Sequence, residues 1–165
     1  MSCGCAKYGS IELFREKISE RIGQTRTLRR TLEIISEHPV EKHKLLKCFV
    51  CDQYWQLSYA WNWGDRAYLF KVPEIEPEEW LTEPYVQPAE LLIHSAAMEN
   101  YMSRNRFVET RNNCRTNECT NRAIKYSVFC LDHRIESLQI AGALPRRPYG
   151  RELPEYNRGT EVGRK

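Results

Sequence analysis

A chain of 165 residues that is 41% hydrophobic and 28% charged has the makeup of one ordinary globular domain or two small intimate ones. Its formal net charge of +3 resides in the last stretch: residues 146–165 hold six Arg/Lys against three acids, leaving residues 1–145 neutral. A neutral body argues against a protein built mainly to hold nucleic acid, and no stretch approaches the roughly 18 consecutive apolar residues of a membrane span. Seven cysteines, an odd number, follow a start without an apolar leader, which points to a reducing cytoplasm and free thiolates rather than disulfides.

In chain order, Ile11, Phe14, Ile18 and Ile22, followed by Leu28, Leu32 and Ile35, predict helix from Ser10 to Glu37. Ser10 is the expected N-cap and Pro39 the expected stop. Gly23 interrupts the register, so two helices, or one with a weak joint, are expected. Arg15, Lys17, Glu20, Arg21, Arg26, Arg29 and Arg30 fall largely off the apolar stripe and read as a solvated face.

Residues 44–55, with Cys48-x2-Cys51, resemble the knuckle of zinc-ribbon proteins. There a tight hairpin tip points backbone N–H groups at the sulfurs. Such knuckles usually carry Gly after the second cysteine; here Asp52 stands there, a residue that tolerates left-handed backbone. Trp55, Leu57, Tyr59 and Trp61 then alternate, Asn62–Asp65 turns, and Tyr68, Phe70 and Val72 return. This aromatic hairpin is expected to form the core against the N-terminal helices; the sharper alternative is an exposed aromatic patch.

Residues 73–88 are rich in Pro and Glu and read as a surface connection, with one helical turn at Pro77–Leu81 begun by proline. This acidic strip would attract a basic protein, so Trp55, Trp61, Trp63, Trp80, Glu78 and Glu79 are the candidate partner-binding residues. A helix is expected from Pro88 to about Phe107, carrying Leu91, Leu92, Ala96, Met98, Tyr101 and Met102. His94 on it lacks a ligand neighbour and reads as structural.

Cys114-x4-Cys119-x10-Cys130-x2-His133 then offers four ligands at a spacing that can close around one Zn²⁺. The layout resembles a treble-clef finger: a knuckle with Cys114 and Cys119, a short hairpin over residues 122–129, and Cys130 and His133 on the first turn of a helix. That helix is expected to run through Ile135 and Leu138 to about Ala141, ended by Gly142. Removing these three cysteines leaves Cys3, Cys5, Cys48 and Cys51, enough for a second site of four thiolates. Alternatives for that set are a Cys48/Cys51 tip completed by His38 or His43, or buried inert thiols.

The expected architecture is α+β: a helical N-terminal segment, the aromatic hairpin with its knuckle, a further helix, a treble-clef-like finger and an irregular tail. Residues 1–145 are read as one compact domain holding two structural zinc ions, with a subdivision at 108/109 as the alternative, and 146–165 as a basic tail. Both sites are filled by protein ligands, and no phosphate-cradling loop, nucleophile elbow or paired-carboxylate motif is visible, so no enzyme activity is expected. The favoured role is a protein-interaction module, an adaptor or small inhibitor in the style of bacterial immunity or antitoxin proteins. The alternative is a nucleic-acid binder using Arg115, Arg122, Lys125 and Arg134, since residues 104–134 carry seven Arg/Lys against three acids.

Overall fold

A computed structural model describes residues 3–156. They fall into two compact units, one comprising the chain up to Leu92 and the segment from Pro148 onward, the other Ile93–Arg147. Among the described residues, no helix is long and apolar enough to cross a membrane.

The first unit holds α1 (Arg15–Leu28), β1 (Leu32–Glu37), β2 (Lys44–Cys48), β3 (Tyr54–Ala60), β4 (Arg66–Val72), α2 (Pro77–Thr82) and the start of α3 (Pro88–Arg104). The strands form an antiparallel sheet in the order β1-β2-β3-β4. Together with the helices this is the expected α+β class.

The N-terminal helix is shorter than its periodicity suggests. It begins after Phe14, without a side-chain cap from Ser10, runs unbroken through Gly23, and ends at Leu28. Leu32–Glu37 is a strand instead, because pairing from Leu32↔Cys48 to Glu37↔Lys44 gives its backbone a ladder that the apolar spacing alone could not reveal. The β-branched Ile34 and Ile35 also suit a strand, and the Lys44–Glu37 ion pair at 2.8 Å closes its end.

Arg21, expected on a solvated face, is buried. Its guanidinium donates to the carbonyls of Leu69 at 3.0 Å and Gly9 at 2.8 Å, while the Thr25 hydroxyl accepts the Leu69 N–H at 3.1 Å. Helix α1 thus uses two polar side chains to satisfy backbone groups on the outer strand β4, which would otherwise be an open edge.

Strand β3 is covered on both faces, so the sheet separates two clusters. On one side Leu45, Tyr68, Phe70 and Trp80 pack with Ile18 and Leu153; on the other Leu46, Trp55, Leu57 and Leu69 pack with Cys5 and Cys48. Gln56 is fully buried on β3, and all of its amide is used. Its oxygen accepts Trp80 Nε1–H at 2.8 Å and Tyr85 N–H at 3.0 Å; its NH₂ donates to Tyr85 O at 2.8 Å and Ser58 Oγ at 3.1 Å. A satisfied buried amide of this kind fixes register where an apolar residue would not. It pins α2 and the following loop to the sheet.

Residues 148–156 lie along the first unit as an extended strap. Arg151 bridges Tyr85 in parallel, Leu153 is buried, and the Tyr156 hydroxyl donates to Ile11 O at 2.6 Å. Gly150 has φ +137°, and a Cβ there would meet Pro84 O at 2.7 Å, so only glycine fits this approach. The tail residues 157–165, with Arg158, Arg164 and Lys165, lie outside the described residues.

The second unit continues α3 and adds β5 (Glu109–Asn113), β6 (Arg122–Ile124) and α4 (Leu131–Ile140). The strands form a two-stranded antiparallel hairpin. Gly142, with φ +74°, follows α4 as expected. Only Cys114, Ala123, Ile124 and Cys130 are buried among its described residues.

Candidate metal centres

Two groups of four ligand atoms form, and within each group the atoms all lie within 4.8 Å of one another: Cys114, Cys119, Cys130 and His133, and Cys3, Cys5, Cys48 and Cys51. All seven cysteines are free of disulfides.

In the second unit, β5 leads into the knuckle, and Glu118, at φ +61°, turns the chain so that Cys119 faces Cys114. Cys130 is the N-cap of α4 and His133 sits in its first turn. A tetrahedral zinc with Zn–S of about 2.3 Å and Zn–N of about 2.0 Å sets S···S edges of about 3.8 Å and S···N edges of about 3.5 Å. The Cys119 and Cys130 sulfurs are 3.9 Å apart, and His133 Nδ1 is 3.5 Å from Cys114 Sγ and 3.2 Å from Cys130 Sγ. The donor set therefore fits zinc in both chemistry and size, with Nδ1 as the histidine ligand.

The electrostatics agree. Burial pushes the Cys114 thiol up, but N–H donation from the backbone of Cys130 and Thr116, with the Thr116 hydroxyl and His133, outweighs it and brings the thiol down to about 6. At Cys119 the Asn121 N–H favours the thiolate, yet burial and the crowding sulfurs of Cys114 and Cys130 leave the pKa raised. His133 is raised by hydrogen bonds to the Cys130 and Cys114 sulfurs. Without metal, protons must be shared among ligands that cannot all ionise; a divalent cation removes that conflict and releases those protons.

In the first unit, Cys48 ends β2 and Cys51 lies in the turn before β3. Asp52 adopts the expected left-handed conformation at φ +57°, its N–H reaching Cys48 O at 3.1 Å. Burial raises the Cys48 thiol, but the N–H groups of Val50 and Cys51 and contacts with Cys5 and Cys51 lower it to about 7. Cys5, on a short 3₁₀ turn, is pushed up by burial and then by Cys48 and Cys51. The fully buried Trp55 indole N–H has no oxygen or nitrogen acceptor, and it acts on the Cys5 sulfur to favour the thiolate. An orphan donor facing a sulfur is what a permanently ionised, metal-bound cysteine would satisfy.

The histidines weighed as substitute ligands are engaged elsewhere. His38 Nδ1 accepts the Glu41 N–H at 2.9 Å, and His43 contacts Ser58 Oγ through Nδ1 at 3.0 Å and the Glu41 carboxylate through Nε2 at 2.8 Å. Cys3 and Cys5 complete the Cys48/Cys51 knuckle instead. The chain carries two structural zinc sites, one Cys₄ and one Cys₃His.

No family model, curated protein or solved structure matches this chain.

The partner-binding candidates separate by burial. Trp55 and Trp80 are 0% exposed and belong to the core, so they offer nothing to a partner: Trp55 packs against Tyr8, and Trp80 is held by Gln56. Trp63 is half-buried, its Nε1–H donating to Ser19 Oγ at 3.0 Å under the Arg15 guanidinium. Trp61 is 60% exposed. Glu78 and Glu79 are exposed, with Glu79 paired to Arg151 at 2.7 Å. On the second unit Arg115, Arg122 and Lys125 are exposed and Arg134 is half-buried. Arg122 is tied to Arg111 O at 2.8 Å and Asn113 Oδ1 at 2.7 Å.

Sequence reasoning missed a cleft of about 650 Å³ on the first unit, lined among others by Glu41, His43, Trp61, Gln87, Glu90 and Tyr149. Its walls come from the β1–β2 and β3–β4 turns, the loop before α3 and the strap. No local periodicity announces such a convergence.

Proposed function

We propose that this chain is a non-enzymatic, zinc-stabilised interaction module whose partner is a protein. Both metal sites have a full set of protein ligands, which leaves no open coordination position for a reacting water. Ser58, His43 and Glu41 are linked in the manner of a hydrolytic triad, but Ser58 is fully buried and its oxygen already receives the Gln56 N–H. That network reads as structural, since a nucleophile must reach its substrate.

The observation that carries the proposal is the rim of the cleft. Val40, Trp61 and Tyr149 are 87%, 60% and 85% exposed there, on a zinc-braced scaffold. Exposed aromatic side chains around a concave surface are the usual anchors of protein recognition. An adaptor or small inhibitor, immunity-like and cytoplasmic, is the role that suits a small module of this kind.

Tyr126 favours a second reading. It is 94% exposed at φ +65° on a turn, beside Lys125, in a finger whose knuckle, hairpin and helix follow the order of a treble clef. An aromatic ring held out on a basic surface suits base stacking, with Arg115, Arg122 and Arg134 toward phosphates.

A photocrosslinking residue placed at Trp61, and separately at Tyr126, tests both in living cells. Protein adducts at position 61 are expected. Nucleic-acid adducts at 126 without protein adducts at 61 would replace the first reading with the second, and no adduct at either position would remove both.

A further inference from the structure

We infer that the cleft beside Trp61 receives an arginine side chain of the partner, its guanidinium held by Glu41 and Glu90 and stacked on Trp61 and Tyr149. The inference deepens the protein-partner reading and rests on it.

The charges lining the cleft are unbalanced. Lys42 is spent on Asp65 at 3.0 Å, while Glu41 and Glu90 face the same space with neutral partners. Glu41 uses Oε2 on His43 Nε2 at 2.8 Å, and Glu90 uses Oε1 on the Gln87 amide at 2.9 Å, so the second oxygen of each carboxylate is available to an incoming donor. His43, whose pKa is lowered mainly by burial, supplies little positive charge there. Burial raises Glu90 against the lowering hydrogen bond from Gln87, and the charge of Glu41 raises it further, so the two carboxylates repel each other.

The walls suit the same guest. This chain already stacks its own cations on two tyrosines of the cleft, Lys42 Nζ lying 5.6 Å from the Tyr59 ring centre and the Arg151 guanidinium 5.9 Å from that of Tyr85. Trp61 and Tyr149, the exposed rim aromatics, carry no such cation among the described residues. A volume of about 650 Å³ holds a long side chain and its flanking backbone. Between two carboxylates and two aromatic faces, the flat five-donor guanidinium matches better than an ammonium, because it forks to oxygens and stacks at once. Gly150 matters to this geometry: its φ of +137° lets the strap pass Pro84 closely with Tyr149 beside the cleft.

The test uses the full chain with zinc bound and three blocked tripeptides, Gly-Arg-Gly, Gly-citrulline-Gly and Gly-Lys-Gly, titrated by NMR at low salt. Citrulline keeps the shape of arginine and removes its charge. The arginine peptide should bind, shifting cleft resonances, at least ten-fold tighter than the citrulline peptide. In Glu41→Gln/Glu90→Gln, checked for an unchanged melting temperature, that preference should vanish. Equal binding of arginine and citrulline peptides, tighter binding of lysine, or no shift at the cleft would each overturn the inference, and the peptide comparison needs no variant to do so. Crosslinking from position 61 to a protein that survives Glu41→Gln/Glu90→Gln unchanged would also overturn it while leaving the protein-partner reading intact.

Discussion

The first unit encloses Ile18, Leu45, Trp55, Tyr68, Phe70 and Trp80 in clusters on both sides of β3, whereas the second buries only Cys114, Ala123, Ile124 and Cys130 among its described residues. Two of those four are metal ligands. In the first unit the metal trims a structure that apolar burial already supports; in the second it takes the place of a core. Charge divides the same way, since Ile93–Arg147 carries nine Arg/Lys against five Asp/Glu while the remainder is near neutral. The same element therefore serves as an accessory in one unit and as the condition of folding in the other.

The largest effect is expected from Cys130→Ser. Structural zinc in small fingers is worth on the order of 10 kcal/mol, and this unit has little else to replace it. One zinc should be lost by native mass spectrometry, and backbone protection should vanish across residues 109–140. Retained protection there would erase the contrast between the units.

Trp80→Ala probes the opposite side. Removing a fully buried indole that also donates to Gln56 should cost about 3–5 kcal/mol. The loss should appear as a lower denaturation midpoint of β2–β4, with the finger unchanged.

Cys48→Ser should have an intermediate effect. It should release one zinc and free residues 3–8, which are tethered through Cys3 and Cys5, while the sheet stays protected in hydrogen exchange. Collapse of the sheet would mean that zinc is as central here as in the finger.

Acid should empty both sites. Cys48 and Cys114 are both held below the ordinary thiol value of 9.0, at about 7 and about 6. A folded-state pKa below the unfolded one favours folding in full above 9.0. That contribution fades as pH falls and is gone below the folded value. Protons compete with zinc for these sulfurs, so acidification should release zinc from both sites, monitored with a colorimetric chelator. Zinc that stays bound in strong acid would contradict the thiolate assignments. The smallest effect is expected for Gly150→Ala, about 1–3 kcal/mol, read as faster exchange along residues 148–156.

How far the sequence discloses this molecule depends on how local each feature is. Both ligand sets, the left-handed Asp52, proline opening α2 and Gly142 after α4 are short-range chemistry, and each is legible from spacing and residue type. Leu32–Glu37 looks helical because its leucine and isoleucines extend the α1 register; only its pairing with β2 makes it a strand. Arg21 looks solvated until Leu69, 48 residues away, supplies its partner, and the partner that buries Gln56, Tyr85, lies 29 residues away. Trp55 and Trp61 share a face of a simple alternation, yet one is sealed by the N-terminal segment and the other begins the turn after β3. The cleft joins residues from His38 to Tyr149, a separation that no motif spans.

The most direct test of the account is peptide-resolved hydrogen exchange on the full chain at neutral pH, before and after complete removal of zinc by a strong chelator. Residues 109–140 should lose their protection while β2, β3 and β4 keep theirs. Protection that persists in the finger without zinc, or disappears equally from both units, would contradict it.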